Sequence, residues 1–243
     1  MSITISKGTI KRLINDVKGI NNNPLTDNGI YYMHDEEDML KGYVLFIANK
    51  DTPYYGGYYF FELTFPPNYP YSPPKLTFCT NGNNIRFHPN YYKCGKVCLS
   101  LLNTWTGDQW TSCQTISSIL LTMSSLFTKD PLLHEPGIKE GHPDFHKYSQ
   151  IIEYFNLDIA MCDILLKKKG VHMPFFDKFV HIIEEHFLTN YADIKKNVED
   201  NMLAKTENPI DICTGIYRMT VTLDYTKLIS KMEQTHKIIN NKK

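Results

Sequence analysis

Four short runs of aromatic and β-branched residues between residues 30 and 79 constrain the fold of this chain more than any other feature. Such runs are typical of β-strands when turn residues separate them. They predict strands at Ile30–His34, Met39–Ala48, Tyr58–Phe65 and Lys75–Cys79. In the third run Phe61, Leu63 and Phe65 alternate with polar residues, which indicates one buried face. Gly56-Gly57 favours a hairpin ahead of it.

Helical periodicity flanks these strands on both sides. Apolar residues spaced i, i+3, i+4, i+7 predict an amphipathic helix from Lys7 to about Asn21. The same spacing returns at Ile116 and predicts further helices over the rest of the chain, the first of them ending near Lys129 and the next just before Gly170. The order of helix, strand meander, long loop and helices indicates an α+β fold with an antiparallel sheet.

Two segments interrupt the regular pattern. PPNYPYSPP, residues 66–74, is predicted to be a stiff extended connector, because its prolines lack the N–H that a central strand donates. Residues 82–114 show no periodicity, and structured loops of this length usually carry function.

Charge and composition exclude several classes of protein. Lys and Arg total 26 and so do Asp and Glu, and a chain without excess positive charge is a poor candidate for nucleic-acid binding. No apolar run approaches the roughly 18 residues that a membrane span needs, and the first residues do not resemble a signal peptide. We therefore expect a cytoplasmic or nuclear protein that binds no membrane, and its six cysteines are expected to be free thiols.

The sequence FHPNYYKCGKVCLSLL, residues 87–102, holds two cysteines four residues apart. Cys94 and Cys98 have no second pair nearby, which disfavours a zinc site, and a disulfide between them would need a suitable Cα separation. His88, Asn90 and Cys98 superficially suit a papain-like protease, although in that class the His follows the Cys at a distance. A thiol with an amide donor at fixed spacing also suits acyl transfer through a thioester.

His88-Pro89-Asn90 followed by Cys98 resembles the signature of ubiquitin-conjugating enzymes (E2). TPYYGG, FPPNYPYSPPK, Trp110 and the helix start TISS match that family in the same order, over roughly residues 7–168. GKVCLSLLNTWTGDQW and MCDILLKKKG are similar to its large Z-type class. The KDP–EPG segment is shared with the O-type and the giant inhibitor-of-apoptosis hybrid enzymes. The resemblance implies a ubiquitin-conjugating (UBC) core at 1–168 and a helical C-terminal extension at 169–243.

The resemblance also implies residue roles. Cys98 would carry ubiquitin or a ubiquitin-like modifier as a thioester, Asn90 would stabilise the oxyanion or brace the loop, and His88 would brace the loop. Asp130 and His134 would steer or deprotonate the incoming lysine, with loop capping as the alternative. The positions implied for partner binding are Lys7, Lys11, Arg12, Tyr71, Ser112 and Cys113.

The implied partners are the modifier, its activating enzyme, a protein substrate and, as an optional partner, a RING or HECT ligase. No cofactor or metal is expected in this chain, because ATP is used by the activating enzyme. One departure from the family is Thr111-Ser112-Cys113 in place of the usual Ser-Pro-Ala, which puts the usual mode of ligase recognition in doubt. Two alternatives stay open: a catalytically inactive conjugating-like adaptor that binds ubiquitin, and a cysteine hydrolase. The presence of both Cys98 and Asn90 favours the enzyme over the adaptor.

Overall fold

The structure is a computed structural model, which describes residues 5–205 and 208–242. Residues 1–4 of the predicted core, and residues 206–207 and 243 of the predicted extension, lie outside the described residues.

A four-stranded antiparallel sheet in the order β1-β2-β3-β4 organises the first half of the chain. Its strands are β1 (Ile30–His34), β2 (Lys41–Ile47), β3 (Tyr58–Thr64) and β4 (Lys75–Phe78). The sequence predicted all of these strands, and the structure shortens the last three by one or two residues at their ends. The α+β class and the antiparallel meander are therefore confirmed.

Two helices flank the sheet in sequence. Helix α1 (Lys7–Asn22) begins at Ser6, whose hydroxyl accepts the backbone N–H of Thr9. Helix α2 (Ile116–Ser124) begins with a capping box formed by Thr115 and Ser118. The sequence predicted that this second helix ends near Lys129, and it ends earlier.

Two serines account for the early end of α2. The hydroxyls of Ser124 and Ser125 donate to the carbonyls of Leu121 and Thr122, each three residues back. Such local bonds compete with a continuing helix.

The two faces of the sheet are covered by different parts of the chain. On one face Phe46 and Phe61 meet edge to face, and Phe127, just after α2, packs against Phe46. On the other face Phe60 stacks on Phe176 with ring centroids 3.9 Å apart, and the Tyr58 hydroxyl donates to the carbonyl of Ile183 at 2.9 Å. The alternation in β3 predicted one buried face, but both faces of its first half are buried.

The C-terminal extension supplies that second layer. A 3-10 turn at Pro174–Phe179 leads into α4 (Val180–Asn197), and α5 (Tyr225–Asn240) is the last helix of the described residues. Between these helices lies a hairpin of β5 (Ile210–Cys213) and β6 (Thr220–Leu223). The sequence did not predict this hairpin, because each strand is four residues long and carries only weak alternation.

Helix α3 (Phe145–Phe155) continues as a wider π-helical stretch, Asn156–Asp163, which joins the core to the extension. Lys231 of α5 forms ion pairs with Asp158 and Asp163 at 2.5 and 2.6 Å. Asp163 is almost fully buried, so these pairs compensate for its desolvation. Buried apolar side chains of the core and of the extension also form one continuous cluster. The division at residue 168 stays a prediction.

Candidate active site

The loop between β4 and α2 folds back along the edge of the sheet. The N–H of Phe78 in β4 donates to the carbonyl of Gly95 at 2.8 Å, and the N–H of Tyr92 donates to the carbonyl of Lys96 at 2.8 Å. Gly95 has φ of +87°, and a Cβ there would stand 3.1 Å from the Phe78 carbonyl oxygen. This close approach requires glycine and fixes the path of the chain into Cys98.

Reciprocal hydrogen bonds join Cys98 to Asn90. The Cys98 N–H donates to the Asn90 carbonyl at 2.9 Å, and the Asn90 side-chain amide donates to the Cys98 carbonyl at 2.7 Å. Cys98 is 3% exposed. The two bonds hold the residue that bears the thiol and the residue that bears the amide in one fixed relationship.

The buried side chain of His88 supports the backbone of Asn90. Its ring is fully buried, and its Nδ1 accepts the backbone N–H of Asn90 at 3.0 Å. Burial, and secondarily the neighbouring His134, lower the pKa of His88 well below its usual value. The imidazole is therefore neutral. Its Nδ1 is engaged by the loop backbone and its buried Nε2 has no hydrogen-bond partner among the described residues, so neither ring nitrogen pairs with a thiol as in a Cys-His protease.

The two predicted lysine-steering residues occupy different surroundings. His134 ends a 3-10 turn at Pro131–His134, with its ring 5.0 Å from that of His88 and its Nε2 3.1 Å from the Thr128 hydroxyl. Burial lowers the pKa of His134. Asp130, just before that turn, lines a polar cavity between α3 and α4. His134 therefore adjoins the His88–Asn90–Cys98 group directly, whereas Asp130 lines a neighbouring cavity.

The state of the cysteines bears on two sites weighed from the sequence, a zinc site and a disulfide between Cys94 and Cys98. All six are free thiols, and Cys94 is exposed at the turn before Cys98. Within the described residues, no group of three or more His, Cys, Asp and Glu side chains could hold a metal ion. No helix in the described ranges is both long and apolar enough to cross a membrane.

Of the predicted partner-binding residues, five have exposed side chains and one is bonded within the chain. Tyr71 is 81% exposed, and exposure is also high at Lys7, Lys11, Ser112 and Cys113. Arg12 differs from them. Its guanidinium forms an ion pair with Asp16 and donates to the carbonyls of Ser112 and Gln114, so it ties α1 to the segment before α2.

One residue at the site was missed by sequence reasoning. Arg86 is 8% exposed and donates to the carbonyls of His88 and Pro89 at 3.1 and 2.5 Å. It therefore supports the backbone that carries Asn90. A single arginine in an aperiodic loop gives no sequence signal, since only the fold reveals that its side chain turns inward.

Comparison with known proteins agrees with this geometry. A family profile described as ubiquitin-conjugating enzyme matches residues 12–150. The chain is 33% identical to ubiquitin-conjugating enzyme E2 Z of Xenopus tropicalis over 98% of this chain and 74% of that protein. It is 39% identical to ubiquitin-conjugating enzyme E2 Z of Homo sapiens over 74% of this chain and 50% of that protein. Against the human dual E2 ubiquitin-conjugating enzyme/E3 ubiquitin-protein ligase BIRC6, it is 32% identical over 74% of this chain and 4% of that protein. The chain thus spans about half the length of the human Z-type relative.

Proposed function

Because this chain belongs to the ubiquitin-conjugating enzyme family, we propose that Cys98 accepts ubiquitin or a ubiquitin-like modifier as a thioester and passes it to a lysine or to a ligase. The observation that supports this most is the reciprocal pair of bonds between Asn90 and Cys98. They keep an amide N–H donor at the backbone of Cys98, the one nearly buried cysteine of the aperiodic loop.

The proposed reaction has two acyl transfers. The Cys98 thiolate attacks the thioester carbonyl of the modifier held on its activating enzyme, and the collapsing tetrahedral oxyanion expels the activating enzyme's thiolate. In the second step a neutral lysine amine attacks the carbonyl of the Cys98 thioester and gives up a proton to water, and the tetrahedral intermediate collapses to an amide as the C–S bond breaks and the Cys98 thiolate leaves. Asn90 carries two N–H groups on its side chain, one of which is donated to the Cys98 carbonyl. The other is the proposed donor to the oxyanion.

Further roles belong to the same proposal. His88 braces the loop as a neutral imidazole, and His134 is the better candidate for guiding the lysine, because its ring lies against His88. Asp130 is proposed to act on the lysine from the adjacent cavity. ATP is consumed by the activating enzyme, and no cofactor is proposed for this chain.

The proposed partner surface is formed by exposed residues on three neighbouring segments. It consists of Lys7, Lys11, Tyr71, Ser112 and Cys113. The Trp110 indole N–H donates to the Pro70 carbonyl at 2.7 Å, which joins the segment of Tyr71 to that of Ser112. We assign this surface to the activating enzyme and to a RING or HECT ligase, with Arg12 supporting it from within.

Two broader assignments, of the domains and of the location, belong to the same proposal. The division into a UBC core at 1–168 and an extension at 169–243 follows the resemblance, while the profile match ends at residue 150. A cytoplasmic or nuclear location is consistent with six free cysteines, since reducing compartments favour free thiols.

Thioester formation tests the function directly. The purified chain is incubated with ubiquitin, ATP and an activating enzyme, and a band shift that thiol reductant reverses is expected. Cys98→Ala should abolish the shift, Cys98→Ser should give an oxyester that resists reductant, and Cys94→Ala should load like the unmodified chain. Failure to load with any activating enzyme and any modifier would favour the inactive adaptor, and loss of loading in Cys94→Ala would overturn the assignment of Cys98.

A further inference from the structure

The turn of the C-terminal hairpin reaches the candidate active site. Thr214 organises this turn, since its N–H donates to the Met219 carbonyl at 2.9 Å and its hydroxyl donates to the Ile216 carbonyl at 2.8 Å. The Ile216 N–H donates to the buried Asp144 carboxylate at 2.9 Å, which anchors the turn to the start of α3. A segment more than 110 residues after Cys98 is thereby held against the loop of His88 and Asn90.

Arg86 is the point of contact. Its guanidinium carbon lies 3.5 Å from the ring centroid of Tyr92 and 5.0 Å from that of Tyr217 in the hairpin turn. No carboxylate in the described part of the chain forms an ion pair with Arg86, so the charge is compensated by two backbone carbonyls and two aromatic rings. The ring of Tyr217 therefore helps to retain the guanidinium in its buried position.

Tyr217 also contacts the opposite flank of the site. Its hydroxyl donates to the Glu135 carboxylate at 2.5 Å, and Glu135 directly follows the turn that carries His134. The Lys93 ammonium donates to the Tyr217 carbonyl at 3.4 Å. One side chain thus connects the loop before Cys98 with the segment after α2, the two segments whose residues surround His88.

The backbone of Tyr217 is held in an unfavourable conformation. Tyr217 and Arg218 have φ of +57° and +49°, in the left-handed region that residues with a Cβ rarely adopt. Two consecutive residues of this kind persist only when surrounding contacts fix them. The bonds of Thr214 and Asp144 fix the turn itself, and the side chain of Tyr217 is held by Arg86, by Glu135 and by the ring of Tyr148, whose centroid lies 5.8 Å away.

We propose that Tyr217 is a positioning residue for the acyl-transfer site: through Arg86 it fixes the backbone of His88-Pro89-Asn90, and through Glu135 it fixes the segment of His134. This inference rests on the proposed function. It makes the C-terminal extension a structural part of the active site rather than an appendage to it.

The test compares two Tyr→Leu variants of the full chain. Tyr217→Leu removes the ring beside Arg86 and the bond to Glu135. Tyr225→Leu is the matched control, because Tyr225 is a buried tyrosine of the same extension that packs on Tyr154 instead. Tyr225 is fully buried and Tyr217 half-buried, so Tyr225→Leu should lower the melting temperature at least as much as Tyr217→Leu does. Tyr217→Phe retains the ring and removes only the hydroxyl.

Two readouts are measured below the melting temperature of each variant. The first is single-turnover discharge of the preloaded thioester to free lysine at several lysine concentrations. We expect the maximal rate of Tyr217→Leu to fall at least tenfold, that of Tyr217→Phe to fall less, and that of Tyr225→Leu to be unchanged. Equal slowing in the two Leu variants, or normal discharge in Tyr217→Leu, would overturn the proposal.

The second readout does not depend on activity. Amide hydrogen exchange of the peptide spanning residues 87–98, which includes the Cys98 N–H bonded to Asn90, should become faster in Tyr217→Leu and stay unchanged in Tyr225→Leu. Unchanged exchange in Tyr217→Leu would refute the positioning role even if the chain loads normally. If the unmodified chain never loads, the proposed function fails, and the exchange result still decides whether Tyr217 fixes this loop.

Discussion

Phe60 of the central sheet and Phe176 of the C-terminal extension stack with ring centroids 3.9 Å apart and ring planes within 12° of each other. Both side chains are essentially inaccessible to solvent. Because a core strand and an extension residue share this contact, the extension contributes to the stability of the core as well as covering it.

Phe176→Ala should therefore destabilise the whole chain. Truncating a fully buried Phe typically costs about 3–5 kcal/mol. The control is Ile238→Ala in α5, where the side chain is 40% exposed and the loss should be much smaller. Urea denaturation followed by tryptophan fluorescence measures both, and equal stability of Phe176→Ala and the unmodified chain would contradict a shared interior.

Asn90→Ala should impair discharge of the thioester more than its formation. A preorganised amide donor stabilises an oxyanion in the transition state by about 3 kcal/mol. The rate of discharge to free lysine should therefore fall about 10²–10³-fold. Asn81→Ala is a matched control, because its amide also donates to a backbone carbonyl, that of Phe78 at 3.2 Å, on another part of the loop. A comparable loss in Asn81→Ala would show that general loosening of the loop accounts for the effect.

Arg12→Lys separates internal support from partner docking. Lysine cannot reproduce the forked donation to Asp16 and the carbonyls of Ser112 and Gln114, so we expect a loss of about 2 kcal/mol in stability. Lys11→Gln, on the exposed face of the same helix, should leave stability unchanged and weaken loading by the activating enzyme. Unchanged stability in Arg12→Lys would show that Arg12 gives no internal support, and would favour a direct role in partner binding.

The buried His88 predicts a loss of stability in mild acid. Its pKa is lowered in the folded chain, so below about pH 6.5 the unfolded chain binds a proton that the folded chain excludes. The free energy of unfolding should therefore fall as pH decreases from 7 towards 5, by up to about 1.4 kcal/mol per pH unit for this one group.

The variant His88→Asn isolates that contribution. The asparagine oxygen can accept the Asn90 N–H in place of Nδ1, and it does not titrate. Burial also lowers the pKa of His34, His134 and His186, so the stability of His88→Asn should still depend on pH. The unmodified chain should lose unfolding free energy more steeply than this variant as the pH falls. Parallel profiles of unfolding free energy against pH would rule out His88 as a source of the acid sensitivity.

The sequence predicted those parts of the fold that local patterns determine. The four strands and α1 follow from residue type and spacing, whereas the roles of Asn90 and Cys98 are implied by a short motif and stay a prediction. The contacts across long separations had no local signal: Tyr58 with Ile183, and Arg86 with Tyr217. Such contacts depend on how the elements assemble, and for that reason the second buried face of the sheet and the hairpin turn were missed.

The stacking of Phe60 on Phe176 also sets an order of events during synthesis. The strand emerges from the ribosome more than 110 residues before its aromatic partner, so one face of the sheet must stay uncovered while the intervening chain is made. The nascent core thus exposes a row of aromatic side chains until residues near Phe176 are available. During this interval the uncovered face is apolar surface of the kind that promotes aggregation.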